Sequence, residues 1–119
     1  MPKVMIAEDD ATMVSLLKTL LKMEGFETVV LNINENVSDA IRTEHPDVVL
    51  MDVHLSHQSG LEILDDIRRS SDIKHVRVVM SSGANVKEEC MNHGANGFLL
   101  KPYMPDDLIS LLKRNIISN

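Results

Sequence analysis

One cysteine in 119 residues, Cys90, excludes an internal disulfide. The fold must stand on its core alone, and a reducing, cytoplasmic setting fits. No apolar run approaches the roughly 20 residues of a membrane-spanning helix, so a soluble chain without membrane contact is expected. Met1-Pro2-Lys3 leads into apolar residues only as far as Ala7 before acids follow, too short a run for the core of a secretory signal. Basic residues are in the minority: 12 Lys and Arg stand against 18 Asp and Glu, a net charge of −6. Gripping a phosphate backbone takes a concentrated basic face, so nucleic acid is not an expected partner of this domain. The chain has no internal repeat, low-complexity segment or linker, and its length is that of one domain, 1–119. A globule this long buries roughly two-thirds of the surface of its unfolded chain and needs no staples.

What is present is an alternation. Short apolar runs, most of them rich in Val and Ile, occur at 4–7, 29–31, 48–51, 76–80 and 98–100. Runs of that length and composition suit buried parallel strands. Between them lie segments with helical spacing. Met13, Leu16, Leu17, Leu20 and Leu21 form a stripe that Gly25 closes. Val37, Ala40 and Ile41 form a shorter one ahead of His45-Pro46. Leu61, Leu64 and Ile67 follow a candidate cap, Ser59. A weak fourth segment covers about 85–93 and stops at Gly94, and a fifth opens with Pro105, Asp106 and Asp107 and carries Leu108, Leu111 and Leu112. Five strands alternating with five helices predict a doubly wound α/β domain: a five-stranded parallel sheet flanked by helices, with the flavodoxin-like order 2-1-3-4-5.

The chemistry stands where the strands end. The first ends in Glu8-Asp9-Asp10, the third in Asp52, the fourth in Ser81-Ser82 and the fifth in Lys101-Pro102. Ligands of open parallel sheets bind outside the carboxyl ends of the strands, where the strand order reverses. The acidic pair, the lone Asp, a hydroxyl and a Lys are therefore expected to converge on one pocket. Asp and Ser are common loop residues, and any one of these alone carries little; the ordered set carries more. Two like charges about 4 Å apart repel by about 4 kcal/mol at an effective dielectric of about 20. Glu8, Asp9 and Asp52 against Lys101 should thus raise a carboxylate pKa or hold a cation. Oxygen ligands favour a hard ion such as Mg²⁺. Beside it, a carboxylate can attack a phosphoryl donor while the cation and Lys101 take up developing charge.

These residues resemble the receiver domains of two-component response regulators. The stretches that carry the resemblance are Val4-Met5-Ile6-Ala7-Glu8-Asp9-Asp10, Val48-Val49-Leu50-Met51-Asp52-Val53 with Gly60-Leu61-Glu62-Ile63-Leu64, Val78-Val79-Met80-Ser81-Ser82-Gly83, and Gly94-Ala95-Asn96-Gly97-Phe98-Leu99-Leu100-Lys101-Pro102. Together they cover essentially the whole chain. The resemblance implies a CheY-like signalling domain that promotes its own phosphorylation and dephosphorylation but turns over no substrate. It implies Asp52 as phosphoacceptor, and Glu8, Asp9, Asp52 and the backbone carbonyl of His54 as Mg²⁺ ligands. Ser82 takes the hydroxyl switch position, Lys101 bridges to the phosphoryl group, and Phe98 matches the switch aromatic, although a plain core role suits it equally. His54 is where members of this family tune water attack on the phosphoryl group. The Lys101-Pro102 bond is expected to be cis on the same ground. The implied partners are a sensor histidine kinase or phosphotransfer protein and an output partner that the sequence does not name, the chain being a monomer or a phosphorylation-dependent dimer. Two departures stand out. Ser56 occupies a position where many receivers carry Pro, so a looser loop after Asp52 is expected. The segment between Ser82 and Phe98 is short, so a shortened fourth helix is expected.

Other readings remain open here. A Mg²⁺-dependent phosphatase of the haloacid dehalogenase type also uses a strand-end Asp, but it needs a second Asp where this chain has His54. A receiver-like interaction module without phosphorylation is opposed by the intact acidic set. A flavodoxin needs a phosphate-cradling loop after the first strand, where acids stand instead. His54 and His57 form a His-x-x-His pair without the further ligands a zinc site needs. His45, His75 and His93 are expected at the surface without partners, Cys90 as a small apolar residue, and Met13 and Met23 as core. No effector domain is present, so the protein either works alone or belongs to a longer chain; the apolar Ile116-Ile117 fits both.

Overall fold

The computed structural model describes residues 1–32 and 34–116. Ile117, part of the apolar end noted above, lies outside them. Ten elements alternate: β1 (Lys3–Ala7), α1 (Ala11–Met23), β2 (Glu27–Val30), α2 (Val37–Glu44), β3 (Val48–Asp52), α3 (Gly60–Arg69), β4 (Arg77–Ser82), α4 (Lys87–Asn92), β5 (Gly97–Leu100) and α5 (Pro105–Ile116). The strands are parallel in the order β2-β1-β3-β4-β5, as expected.

The period of two along each strand sorts the core into two layers. Val4 and Ile6 of β1, Val48 and Leu50 of β3 and Val79 of β4 face Leu17 and Leu21 of α1 and Leu108, Ile109 and Leu112 of α5. Their neighbours Met5, Ala7, Val49, Met51, Val78 and Met80 face Val37, Ala40 and Ile41 of α2, Ile63, Leu64 and Ile67 of α3, and Cys90 of α4. Both faces of the sheet are covered, which is why its strands read as continuous apolar runs. No helix among the described residues is long and apolar enough to cross a membrane.

Local chemistry sets the helix ends. The Asp10 carboxylate accepts from the Thr12 and Met13 amides at 2.9 and 3.1 Å, capping α1. Asn36 caps α2 and Ser59 caps α3. α2 ends at His45, whose φ of 51° is the left-handed turn that closes helices, with Pro46 next. Val86, at the start of α4, offers no side-chain cap, and the helix runs for only 6 residues. The short fourth helix is as expected.

Three expectations fail. Leu16 and Met23 are 63% and 77% exposed rather than core. Leu17 and Leu21 are buried in the layer beneath α1, Met13 and Leu20 pack partly buried beside them, and Leu16 and Met23 fall outside that line. His93 is not without a partner: its Nδ1 lies 2.7 Å from an Asp65 carboxylate oxygen, which joins the end of α4 to α3. Near this junction the half-buried Arg68 donates to the carbonyls of Gly94, Lys74 and Val76 and to Asn96 Oδ1, all at 2.8 to 2.9 Å. Asn96 Oδ1 also accepts from the Val78 amide at 2.8 Å. Burial, with Arg77 adding to it, lowers the Arg68 pKa.

Candidate functional site

The carboxyl ends of β1, β3, β4 and β5 form one rim. Lys101 follows β5, and its amide is held by the Ser82 carbonyl at 2.8 Å. From there its side chain reaches back over β4. Its Nζ donates to Asp52 Oδ2 at 2.8 Å and to Glu8 Oε1 at 2.7 Å. Residues 8, 52 and 101 thus meet although 93 positions separate the outer two. All three side chains are largely buried, with exposures of 7% for Glu8, 12% for Asp52 and 21% for Lys101. Burial works to lower the Lys101 pKa, but the hydrogen bonds and charges of Asp52 and Glu8 outweigh it and the ammonium titrates above its ordinary value. The Lys101-Pro102 bond is cis.

The remaining oxygens of Glu8 and Asp52 are also engaged. Glu8 Oε2 accepts from the Asp10 amide at 3.1 Å, and Asp52 Oδ1 from the His54 amide at 3.1 Å. Asp9 belongs to a different grouping. Its Oδ2 accepts from both the amide and the hydroxyl of Ser56, the latter at 2.5 Å, on the loop between β3 and α3. The expected convergence therefore holds for Glu8, Asp52 and Lys101, whereas Asp9 is turned to the loop. Among the described residues no three His, Cys, Asp or Glu side chains are grouped as a metal ion requires. The donors themselves are all oxygens, and three carboxylates against one ammonium leave two negative charges at the rim. That donor set fits a hard dication once Asp9 is released.

Ser82 is fully buried at the end of β4, and its hydroxyl accepts from the Ala84 amide at 3.1 Å. Ser81, not Ser82, is the register partner of Asp52. Phe98 pairs with Met80 in register and packs, partly buried, on the core layer of α2, α3 and α4. The His54 side chain is exposed, and its backbone bridges to Ser59. His57 is exposed as well.

Three residues that shape the site were not singled out by the sequence reading. Asp10 caps α1 and so aims the chain after Glu8 and Asp9; an Asp just ahead of an apolar stripe is the signal for this. Gly60 starts α3 against the end of β3, where a Cβ would stand 2.3 Å from the Asp52 carbonyl oxygen. Tyr103 packs beside Met13 on the α1 and α5 layer, and burial, opposed by Lys101 and reinforced by Glu8 and Asp52, raises its phenol pKa.

A sheet of this order, with an acidic rim bridged by a strand-end Lys, defines a receiver architecture, and the comparisons with known proteins agree. The profile of the response regulator receiver domain matches residues 4–113, and the chain belongs to that family. It is 25% identical to the DNA-binding response regulator MtrA of Mycolicibacterium paratuberculosis, over 98% of this chain and 52% of that protein. The chain thus spans about half the length of this relative. It is 28% identical to the polar-differentiation response regulator DivK of Brucella ovis, over 92% of each. The chemotaxis response regulator CheY4 of Vibrio cholerae shares the fold with a TM-score of 0.85 at 26% identity, over 97% of this chain and 98% of that one.

Proposed function

We propose that this chain is a phospho-accepting switch of two-component signalling, which takes a phosphoryl group onto Asp52 from a phosphohistidine donor in a Mg²⁺-dependent reaction. The observation that carries this reading is the Lys101 ammonium shared between Asp52 and Glu8. It brings a fixed cation to a strand-end carboxylate, where the equatorial oxygens of a transferring phosphoryl group gather charge.

Asp52 Oδ attacks phosphorus, an O–P bond forms, and the N–P bond of the donor breaks with its electron pair returning to the imidazole. Asp52 must leave Lys101 Nζ to accept the group, and the ammonium is then free to pair with a phosphoryl oxygen. Glu8 keeps the ammonium near the site while this happens. Glu8, Asp9, Asp52 and the His54 carbonyl would hold the Mg²⁺, which would supply positive charge to the transferring group. The buried Ser82 hydroxyl, at the neighbouring strand end, exchanges its Ala84 amide for the phosphoryl oxygen. Phe98 then follows it inward and carries the change to a partner-binding face. His54 stands beside the phosphoryl group and sets how fast water removes it. The domain itself acts as a signalling element and turns over no substrate.

Intact-mass measurement after incubation with acetyl phosphate and Mg²⁺ tests the proposal, with Asp52→Asn as control. A labile single-phosphate adduct is expected in the wild type and none in the variant. An adduct on both, or on neither, defeats it. Sustained release of phosphate from simple esters without an adduct would make the chain a phosphatase instead. The role of His54 is checked by the dephosphorylation half-life of His54→Ala; a half-life equal to that of the wild type discards it.

A further inference from the structure

Asp9 is the acid of the rim whose carboxylate is held by Ser56, on the loop after β3. Two donors of a single residue converge on one of its oxygens: the Ser56 amide and the Ser56 hydroxyl both meet Asp9 Oδ2. The other two acids are tied to each other through Lys101 and to the amides of Asp10 and His54. As they stand, the three acids do not form a group able to hold an ion. From this arrangement we infer that Ser56 is a latch on the cation site, and that Mg²⁺ binding is coupled to opening of the β3–α3 loop.

The argument is one of differential binding and rests on the Mg²⁺ site proposed above. Hydrogen bonds to an ionised carboxylate are stronger than neutral ones. Those from Ser56 stabilise only the state in which Asp9 is turned to the loop. A cation stabilises only the state in which Asp9 has joined Glu8 and Asp52. Each therefore opposes the other, and whatever Ser56 adds to the closed state is subtracted from the apparent affinity for the ion. The hold depends on the residue type at position 56. Ala keeps the amide and loses the hydroxyl, Thr keeps both donors, and Pro has neither. Ser56 is exposed and lies outside the core, so Ala and Thr there remove no core packing. Ser56 acts through Asp9 and is a positioning residue; it has no role in phosphoryl transfer itself.

The test is Mg²⁺ binding by isothermal titration calorimetry to the unphosphorylated wild type and to Ser56→Thr, Ser56→Ala and Ser56→Pro. Thr is expected to match the wild type. Ala is expected to bind about twofold to fivefold more tightly, and Pro more tightly still, about threefold to tenfold, in proportion to the donors removed. In wild-type amide spectra, the Ser56 resonance is expected to move as the ion is added. Ala and Pro affinities equal to that of the wild type, or weaker, overturn the latch alone and would mean that Ser56 prepares Asp9 for the ion instead. Absence of binding by all four proteins overturns both the latch and the Mg²⁺ reading beneath it. Binding by the Pro variant with none by the wild type supports the latch in its strongest form.

Discussion

Gly60 decides how closely α3 can start against β3. An added Cβ would meet the Asp52 carbonyl oxygen at 2.3 Å and the Val53 Cα at 3.0 Å, and neither is the tip of a flexible side chain. Gly60→Ala is expected to cost about 1–3 kcal/mol, the usual penalty of forced overpacking. A urea melt reads it, and a variant as stable as the wild type would show that the helix start yields freely. Tyr103 gives a second handle, because it is the sole tyrosine. Its folded pKa is raised, chiefly by burial. A group raised on folding stabilises the protein fully below its unfolded pKa, near 10 for a phenol, and that contribution fades as pH climbs through the folded value. Lys101, also raised, acts with the same sign. The phenolate absorbance is expected to develop above the midpoint of free tyrosine, with stability falling over the same alkaline window. A midpoint at or below the free value would mean a solvated ring.

The elements themselves were legible because both periods are clean. Strands of β1, β3 and β4 alternate between two buried layers, and α2, α3 and α5 each show one apolar stripe. Periodicity says which residues share a helix face; it does not say how wide a sheet lies beneath. That is why Leu16 and Met23 were misread while Leu17 and Leu21 were not. α4, with 6 residues, is the shortest of the five helices among the described residues. It has no side-chain cap at its start, and its end is joined to α3 by the pair of His93 and Asp65 at 2.7 Å. His93→Ala is expected to cost about 0.5–1 kcal/mol, as a half-exposed pair does, and to speed amide hydrogen exchange in α4 ahead of the rest. Unchanged exchange in α4 would show that the pair does not hold it. Arg68 is a heavier clamp, with four protein oxygens in reach of its guanidinium. Arg68→Met is expected to lose about 2 kcal/mol or more, since its acceptors lose charged donors together; a loss under about 0.5 kcal/mol in the same melt, the size of a neutral surface change, would show that water replaces it.

For the molecule as a whole, a ligand that binds only the native state must raise its melting temperature. At about ten times its dissociation constant, Mg²⁺ is expected to add about 1.4 kcal/mol, which is about 3–8 °C for a domain of this size. Chelation should reverse the shift, and Asp9→Asn and Asp52→Asn should each abolish most of it; a wild type indifferent to Mg²⁺ would leave the acidic rim without an ion. The meeting of Glu8, Asp52 and Lys101 could be read from sequence, because strand order alone places those chain positions on one rim. The hold of Ser56 on Asp9 could not, because a loop has no repeat from which its direction follows. That loop nevertheless has a simple mechanical character. The Gly60 amide bonds the Val53 carbonyl at 2.7 Å, and His54 bridges to Ser59, so the segment leaves and rejoins the body at a single pin. A flap mounted in this way turns about that pin, and what it must lift is Leu55, packed on the core layer of α2, α3 and α4. Its outward side carries His57 and Gln58, and a protein that discriminates the swung flap from the resting one has those two side chains to read.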